Sequence, residues 1–107
     1  MNTISEFKRR MQVGAKLATT HHLGEFAGRD ENGKAHYNPI ELPTREVSIV
    51  QSNSFAFKTK RTNGEVVDSW CDFPKKSNTT FDGDSITIME EDQEGNRYPI
   101  LTYTFIN

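Results

Sequence analysis

The sequence predicts an α+β fold: a short N-terminal helix packed on a curled antiparallel β-sheet, or on a partly closed small barrel, of about six to eight strands. Three observations predict it. Ile4, Phe7 and Met11 fall at i, i+3 and i+7, one face of a helix. From residue 16 onward, short runs rich in Val, Ile, Thr and aromatic residues are separated by turn residues. The stretch Arg45–Phe73 holds the only Trp, the only Cys and three Phe, with Asn63-Gly64 between two apolar runs. Asn and Gly tolerate the positive φ of a tight hairpin turn, so this stretch is expected to form the centre of the sheet.

Each element has its own signal. Thr3-Ile4-Ser5-Glu6 is a capping-box pattern, with the Thr3 hydroxyl toward the Glu6 N–H and the Glu6 carboxylate back to the Thr3 N–H. Gly14 is a stop, and the helix is expected over about residues 4–12. Lys16–His22 is a first strand. Asp30-Glu31-Asn32-Gly33-Lys34 carries a second Asn-Gly turn with polar flanks, so the hairpin around it should project from the body and be mobile. Pro39 and Pro43 suggest a loop or sheet edge over 38–44. Arg45–Ser52 is a strand, Ser52-Asn53 a bend, and Ser54–Lys60 and Glu65–Phe73 are hairpin arms. A two-residue turn at Asn63-Gly64 places Phe57 opposite Trp70 and Phe55 opposite Asp72. A bulged turn places Lys58 opposite Asp68 and Arg61 opposite Glu65. The Asn-Gly pair favours the first register, which turns Phe55, Phe57 and Trp70 toward the core. Pro74–Asn78 is a loop, and Thr79–Asp84 a short strand and turn. Ser85–Glu90 places Ile86 and Ile88 on one face. Gln93–Asn96 is a turn, and Tyr98–Ile106 alternates, with Leu101, Tyr103 and Phe105 on one side and Thr102 and Thr104 on the other.

Size and composition bound the function. At 107 residues the chain is one domain, residues 1–107, β-rich over 16–106. With 34% hydrophobic residues the core must rely on aromatic side chains. The net charge of -2 is uneven: residues 1–76 carry 12 Lys/Arg and 9 Asp/Glu, residues 77–107 one Arg and six acids. Those acids, Asp82, Asp84, Glu90, Glu91, Asp92 and Glu94, are the first candidate site, an acidic surface for a basic partner. A lone Cys71 excludes an internal disulfide and fits a reducing compartment. MNTISEFKRR has no apolar signal-peptide region, and no apolar run approaches the ~20 residues that cross a bilayer. A cytoplasmic protein is expected.

Little in the sequence carries chemistry. His21 and His22 are adjacent on a strand and point to opposite faces, and with His36 and Cys71 they make no metal-ligand spacing. Cys71 reads as a small buried hydrophobe, and Asp68 and Asp72 as a polar strand face. No enzyme, metal or cofactor is expected. Lys58, Lys60 and Arg61 form a basic hairpin, the second candidate site, suited to a partner or to single-stranded nucleic acid on a small β-barrel. The pI near 5.9 argues against a dedicated nucleic-acid binder.

The words SEFKRRMQVGAKL (5–17), REVSIVQSNSFAF (45–57) and DSWCDFPK (68–75) resemble small proteins encoded by phages and mobile elements of gut-type bacteria. Proteins of that size and setting include anti-CRISPR inhibitors. The resemblance implies a non-enzymatic inhibitor in the host cytoplasm that blocks a Cas9-type nuclease or its guide-RNA complex. It brings no diagnostic motif and no site residue.

Overall fold

The computed structural model describes residues 1–106. Helix α1 (Ile4–Arg10) is followed by strands β1 (Lys16–Arg29), β2 (Ala35–Val50), β3 (Ser54–Lys60) and β4 (Val66–Asp72). A 3-10 turn (Lys76–Asn78) leads to β5 (Thr79–Asp82), β6 (Ser85–Glu91) and β7 (Arg97–Ile106). The strands form one antiparallel sheet in the order β4-β3-β2-β1-β7-β6-β5. The sheet is open, with β4 and β5 as its edges.

The helix starts where the capping pattern predicts. The Glu6 N–H donates to Thr3 Oγ1 at 3.1 Å, and the Glu6 carboxylate accepts from the Asn2 N–H at 3.3 Å, one residue earlier than the standard box. Seven residues cannot hold a helix alone. Burial holds this one. Phe7 is fully buried, and its ring lies 5.8–6.4 Å from those of Phe55, Phe73, Tyr103 and Phe105. Truncating a ring at such a site typically costs about 3–5 kcal/mol. Met11, Leu17, Val47, Phe57 and Ile86 complete the core on the same face.

The sheet wraps around this helix. Phe55 and Phe57 of β3 lie 5.8 and 6.0 Å from the Tyr103 ring of β7, although β2 and β1 run between them. In a flat sheet, strands three positions apart are about 14 Å apart. The β4–β5 connection gives the same answer. Seven Cα steps from Asp72 to Thr79 reach at most about 25 Å, short of the roughly 29 Å between the edges of a flat seven-stranded sheet.

The opposite face has no covering layer. Thr80, Thr87, Thr102 and Thr20 stand in one row across β5, β6, β7 and β1. The Thr87 and Thr102 hydroxyls share a 2.8 Å hydrogen bond, and Ser85 and Thr104 a 2.7 Å one. β-branched hydroxyl residues suit this position, since they favour the strand and remain satisfied in water.

Three hairpins share one turn. In Asp30–Lys34, Arg61–Glu65 and Asp92–Asn96 the first N–H donates to the fifth carbonyl at 2.8–3.0 Å, and the glycine N–H at position four donates back to the first carbonyl. Gly33, Gly64 and Gly95 have φ of 78°, 88° and 82°, and no other residue type in the described chain has positive φ. This is a type I turn closed by a glycine bulge. It corrects the predicted register of the 54–73 hairpin. A two-residue primed turn needs positive φ at Asn63 as well as Gly64. Instead Asn63 Oδ1 accepts from the Glu65 N–H at 2.9 Å, and only Gly64 turns left-handed. Lys58 therefore pairs with Asp68, Phe55 with Cys71 and Ala56 with Trp70. The slip moves Trp70 out of the expected core. It sits on the uncovered face, 51% exposed, while Phe55 and Phe57 are fully buried.

Residues 38–44, expected as a loop or a sheet edge, are an edge: they continue β2, whose 16 residues carry both prolines, and pair with β1 on one side only. Pro39 and Pro43 fall at irregularities of the β1–β2 ladder, where a missing N–H costs no rung. Beyond His21 and Ile40 the β1–β2 hairpin has no other strand beside it, so it leaves the sheet as an arm. Gly24 lies in it because a Cβ there would come within 2.6 Å of the Ile40 side chain.

Candidate functional site

The six acids of the first predicted site do not form one surface. Asp82 and Asp84 lie at one end of β6, and Glu90, Glu91, Asp92 and Glu94 at the other, about 20 Å away along the strand. At the first end Asp84 and the Gly83 carbonyl beside it are tied into the fold. Asp84 accepts from Arg10 at 2.9 Å, the Arg10 guanidinium lies 4.1 Å from the Phe105 ring centre, and the Met1 ammonium donates to the Gly83 carbonyl. At the other end Asp92 caps its own turn, accepting from the Glu94 and Asn96 N–H groups at 2.9 Å, and the Asn96 bond first of all holds its carboxyl below the usual value. The Tyr98 hydroxyl donates to Glu90 at 3.2 Å, which raises the Tyr98 pKa. Glu91 and Glu94 are exposed and make no ion pair among the described residues.

The arm faces this acidic turn. Between them lies a cleft of about 540 Å³, lined by Leu23, Lys34, Ala35, His36 and Tyr37 on the arm and by Asp92, Asn96, Arg97 and Tyr98 opposite. The arm is rich in exposed apolar surface. Leu23, Phe26, Tyr37 and Ile40 are 45%, 57%, 43% and 39% exposed. Phe26 and Tyr37 pair across the ladder, edge to face with centroids 5.8 Å apart, and Arg29 lies over the Phe26 ring. At the tip Asp30 accepts from the Asn32 and Lys34 N–H groups and contacts His36 Nε2 at 3.1 Å; the His36 bond first, then Lys34, lowers its pKa. The sequence marked this hairpin as projecting but gave no reason to single out its four apolar residues.

The basic hairpin is more neutral than its sequence suggests. Lys58 contacts Glu46 at 3.0 Å and faces Asp68 across the ladder, while Arg61 lies 3.7 Å from Glu65. Such exposed pairs are worth about 0–1 kcal/mol each, but they neutralise the stripe a polyanion would follow. A residue not singled out as a site, Arg45, joins Lys58 and Lys60. The last β2–β3 rung toward this end is Val47–Phe57, and beyond it the two strands splay apart. The wedge, about 300 Å³, is lined by Leu42, Pro43, Thr44 and Arg45 on β2 and by Lys58, Thr59 and Lys60 on β3. The Arg45 guanidinium lies 4.2 Å from the Phe57 ring centre and donates through Nη2 to Thr19 Oγ1 at 3.1 Å. Its Nε is buried without an acceptor, and it makes no ion pair among the described residues.

The remaining candidates are dispersed. His22 Nε2 shares a 2.7 Å hydrogen bond with Thr102, and His36 sits at the arm tip beside Asp30. Half-buried Cys71 borders the core near Tyr103, whose hydroxyl is pushed well above its ordinary pKa by burial first and by Cys71 second. Among the described residues no three His, Cys, Asp or Glu side chains converge as metal ligands, and no helix is long and apolar enough to cross a membrane. No protein-family model, curated protein or solved structure matches the chain.

Proposed function

We propose that this chain is a non-enzymatic, protein-binding inhibitor that docks through the β1–β2 arm and the adjoining acidic turn. The carrying observation is the exposure of Leu23, Phe26, Tyr37 and Ile40 on a hairpin that lies outside the sheet, with Phe26 and Tyr37 packed edge to face. Apolar side chains in that position add nothing to the core, and exposed aromatic and aliphatic side chains beside charged residues have the make-up of a protein interface. Glu90, Glu91 and Glu94 give that interface an acidic rim, which selects a basic surface and speeds encounter with it. The sequence resemblance supplies the first partner to try, a Cas9-type nuclease with its positively charged nucleic-acid channel, inside a bacterial host cell.

The test is co-elution with a panel of guide-loaded nucleases, alongside a DNA-cleavage assay. Phe26→Ala/Tyr37→Ala is expected to weaken binding at least about tenfold, since two aromatic anchors are lost. Glu90→Lys/Glu91→Lys is expected to slow association and remove its salt dependence. Absence of both binding and inhibition across the panel rejects the nuclease as partner. Full binding by the double alanine variant rejects the arm as the interface.

A further inference from the structure

We infer that the open edge of β4 is a docking site for a basic extended segment of another protein, which adds to the sheet as an antiparallel strand with cationic side chains at alternate positions. This surface is separate from the arm and does not rest on the arm being an interface.

The first argument is backbone hydrogen bonding. At the two ends of the β3–β4 ladder the Arg61 N–H donates to the Glu65 carbonyl and the Phe73 N–H to the Asn53 carbonyl. Antiparallel pairs alternate between bonded and non-bonded, so Val67, Ser69 and Cys71 turn their N–H and C=O groups toward β3. Val66, Asp68, Trp70 and Asp72 turn theirs the other way, where no strand lies. None of these outward groups finds a backbone partner elsewhere in the described chain. The segment that leaves β4 is held elsewhere: its 3-10 turn lies against β6, and the Ser77 carbonyl accepts from Arg97 of β7.

The second is the character of this edge. Its seven residues include no proline and its ladder with β3 no bulge, whereas the other edge, β5, has four residues. A long, regular edge recruits strands unless charge guards it. Here the guards are Asp68 and Asp72, and they act against a second copy of this chain. An antiparallel pairing of two β4 strands centred on Asp68, Ser69 or Trp70 sets Asp68 opposite or diagonal to an aspartate of the other copy, where like charges are destabilising. The same two charges favour a basic strand.

The third is the row of side chains beside those backbone groups. Val66, Asp68, Trp70 and Asp72 are all exposed on the uncovered face. Neither aspartate makes an ion pair among the described residues. Asp68 accepts from Ser48 Oγ at 2.7 Å, and Lys58, which faces it, is taken by Glu46 at 3.0 Å. Trp70 lies between the aspartates, and the residue facing it on β3 is the small Ala56. An added strand lays every second side chain along this row. Two cations meet the carboxylates, and one between them meets the indole, the aromatic ring that binds cations best. Strand bonds then supply affinity, and the acid–aromatic–acid order selects basic residues at i, i+2 and i+4.

The experiment titrates the full chain with a short capped peptide of alternating arginine and threonine and follows the fluorescence of Trp70, the only tryptophan. A saturable change is expected. Amide hydrogen exchange of the complex is expected to show new protection at Val66, Asp68, Trp70 and Asp72, and little change at Val67, Ser69 and Cys71, which β3 already protects. In an antiparallel strand the arginine N–H groups face β4 and the threonine N–H groups face away. N-methylation at the arginines is therefore expected to abolish binding, and at the threonines to leave it unchanged. Asp68→Asn/Asp72→Asn is expected to weaken binding about tenfold, and Phe26→Ala/Tyr37→Ala to bind like the wild type. Equal binding of the arginine-methylated peptide, or of one with its arginines in a single block, overturns the proposal in favour of charge attraction alone. Absence of new protection at the four outward amides also overturns it. Protection there that grows with protein concentration in the absence of peptide overturns it in favour of a second copy.

Discussion

Asp30 and Asp92 each hold a turn closed with one carboxylate oxygen that accepts from two backbone N–H groups. Both pKa values lie below the ordinary 3.8, so folding is favoured by their ionised forms. A lowered folded pKa gives stability that is fully present above the unfolded value and is lost as pH falls through the folded one. The turn Arg61–Glu65 has the same backbone but an arginine in the first position, and serves as an internal control. In hydrogen exchange on acidification, the amides of Lys34 and Asn96 are expected to lose protection below about pH 4, before Arg61 does. Simultaneous opening of all three turns would show that the carboxylates do not set the order. Single residues differ in how far the sequence exposes them. Phe7 was legible because a helical stripe needs only local spacing. Arg45 was not, since Thr19 and Phe57, which define its site, lie on other strands and meet it only through the fold. Trp70 was misplaced because its face depends on a single residue of register.

Elements were read better than their junctions. The helix, the strand following Gly83 and the alternating strand to Ile106 stand where periodicity put them, because each repeats its signal over several residues. The turns carried the error. An Asn-Gly pair is compatible with a two-residue turn and with a bulged one, and the choice depends on whether Asn63 or only Gly64 turns left-handed. The prolines of β2 left a loop and a sheet edge open, and the structure has the edge, with both prolines at irregularities of the β1–β2 ladder that composition does not reveal. The β1–β2 arm is the element whose independence is easiest to test. Its distal part contributes no residue to the buried core. Replacing residues 23–38 with a short Gly-containing turn is expected to change the melting temperature by only a few degrees, corresponding to about 1 kcal/mol or less. The same excision is expected to abolish partner binding. A fall of more than about 10 °C would mean that the arm supports the sheet.

As a whole the molecule is a slab of 46 × 37 × 23 Å with a radius of gyration of 15.2 Å. A compact chain of this length is expected near 13 Å, and the excess reflects the arm and the single-layered sheet. The α+β class was legible from the balance of one helical stripe against many short strands. The strand order was not, because nothing local announces that the first strand pairs with the last. That pairing sets how the chain must fold. Lys16 lies opposite Ile106, so the central ladder closes a loop that spans nearly all of the described sequence. Until it closes, β1–β4 and β5–β7 are two separate meanders, and Phe7 lacks the rings of Tyr103 and Phe105. Loop closure entropy must be met before these contacts form, so the rate-limiting barrier is expected at the joining of the two meanders. Refolding in stopped-flow fluorescence is expected on the millisecond-to-second scale, in the range of β-rich folds. Microsecond refolding would mean that the two meanders find each other before either is built.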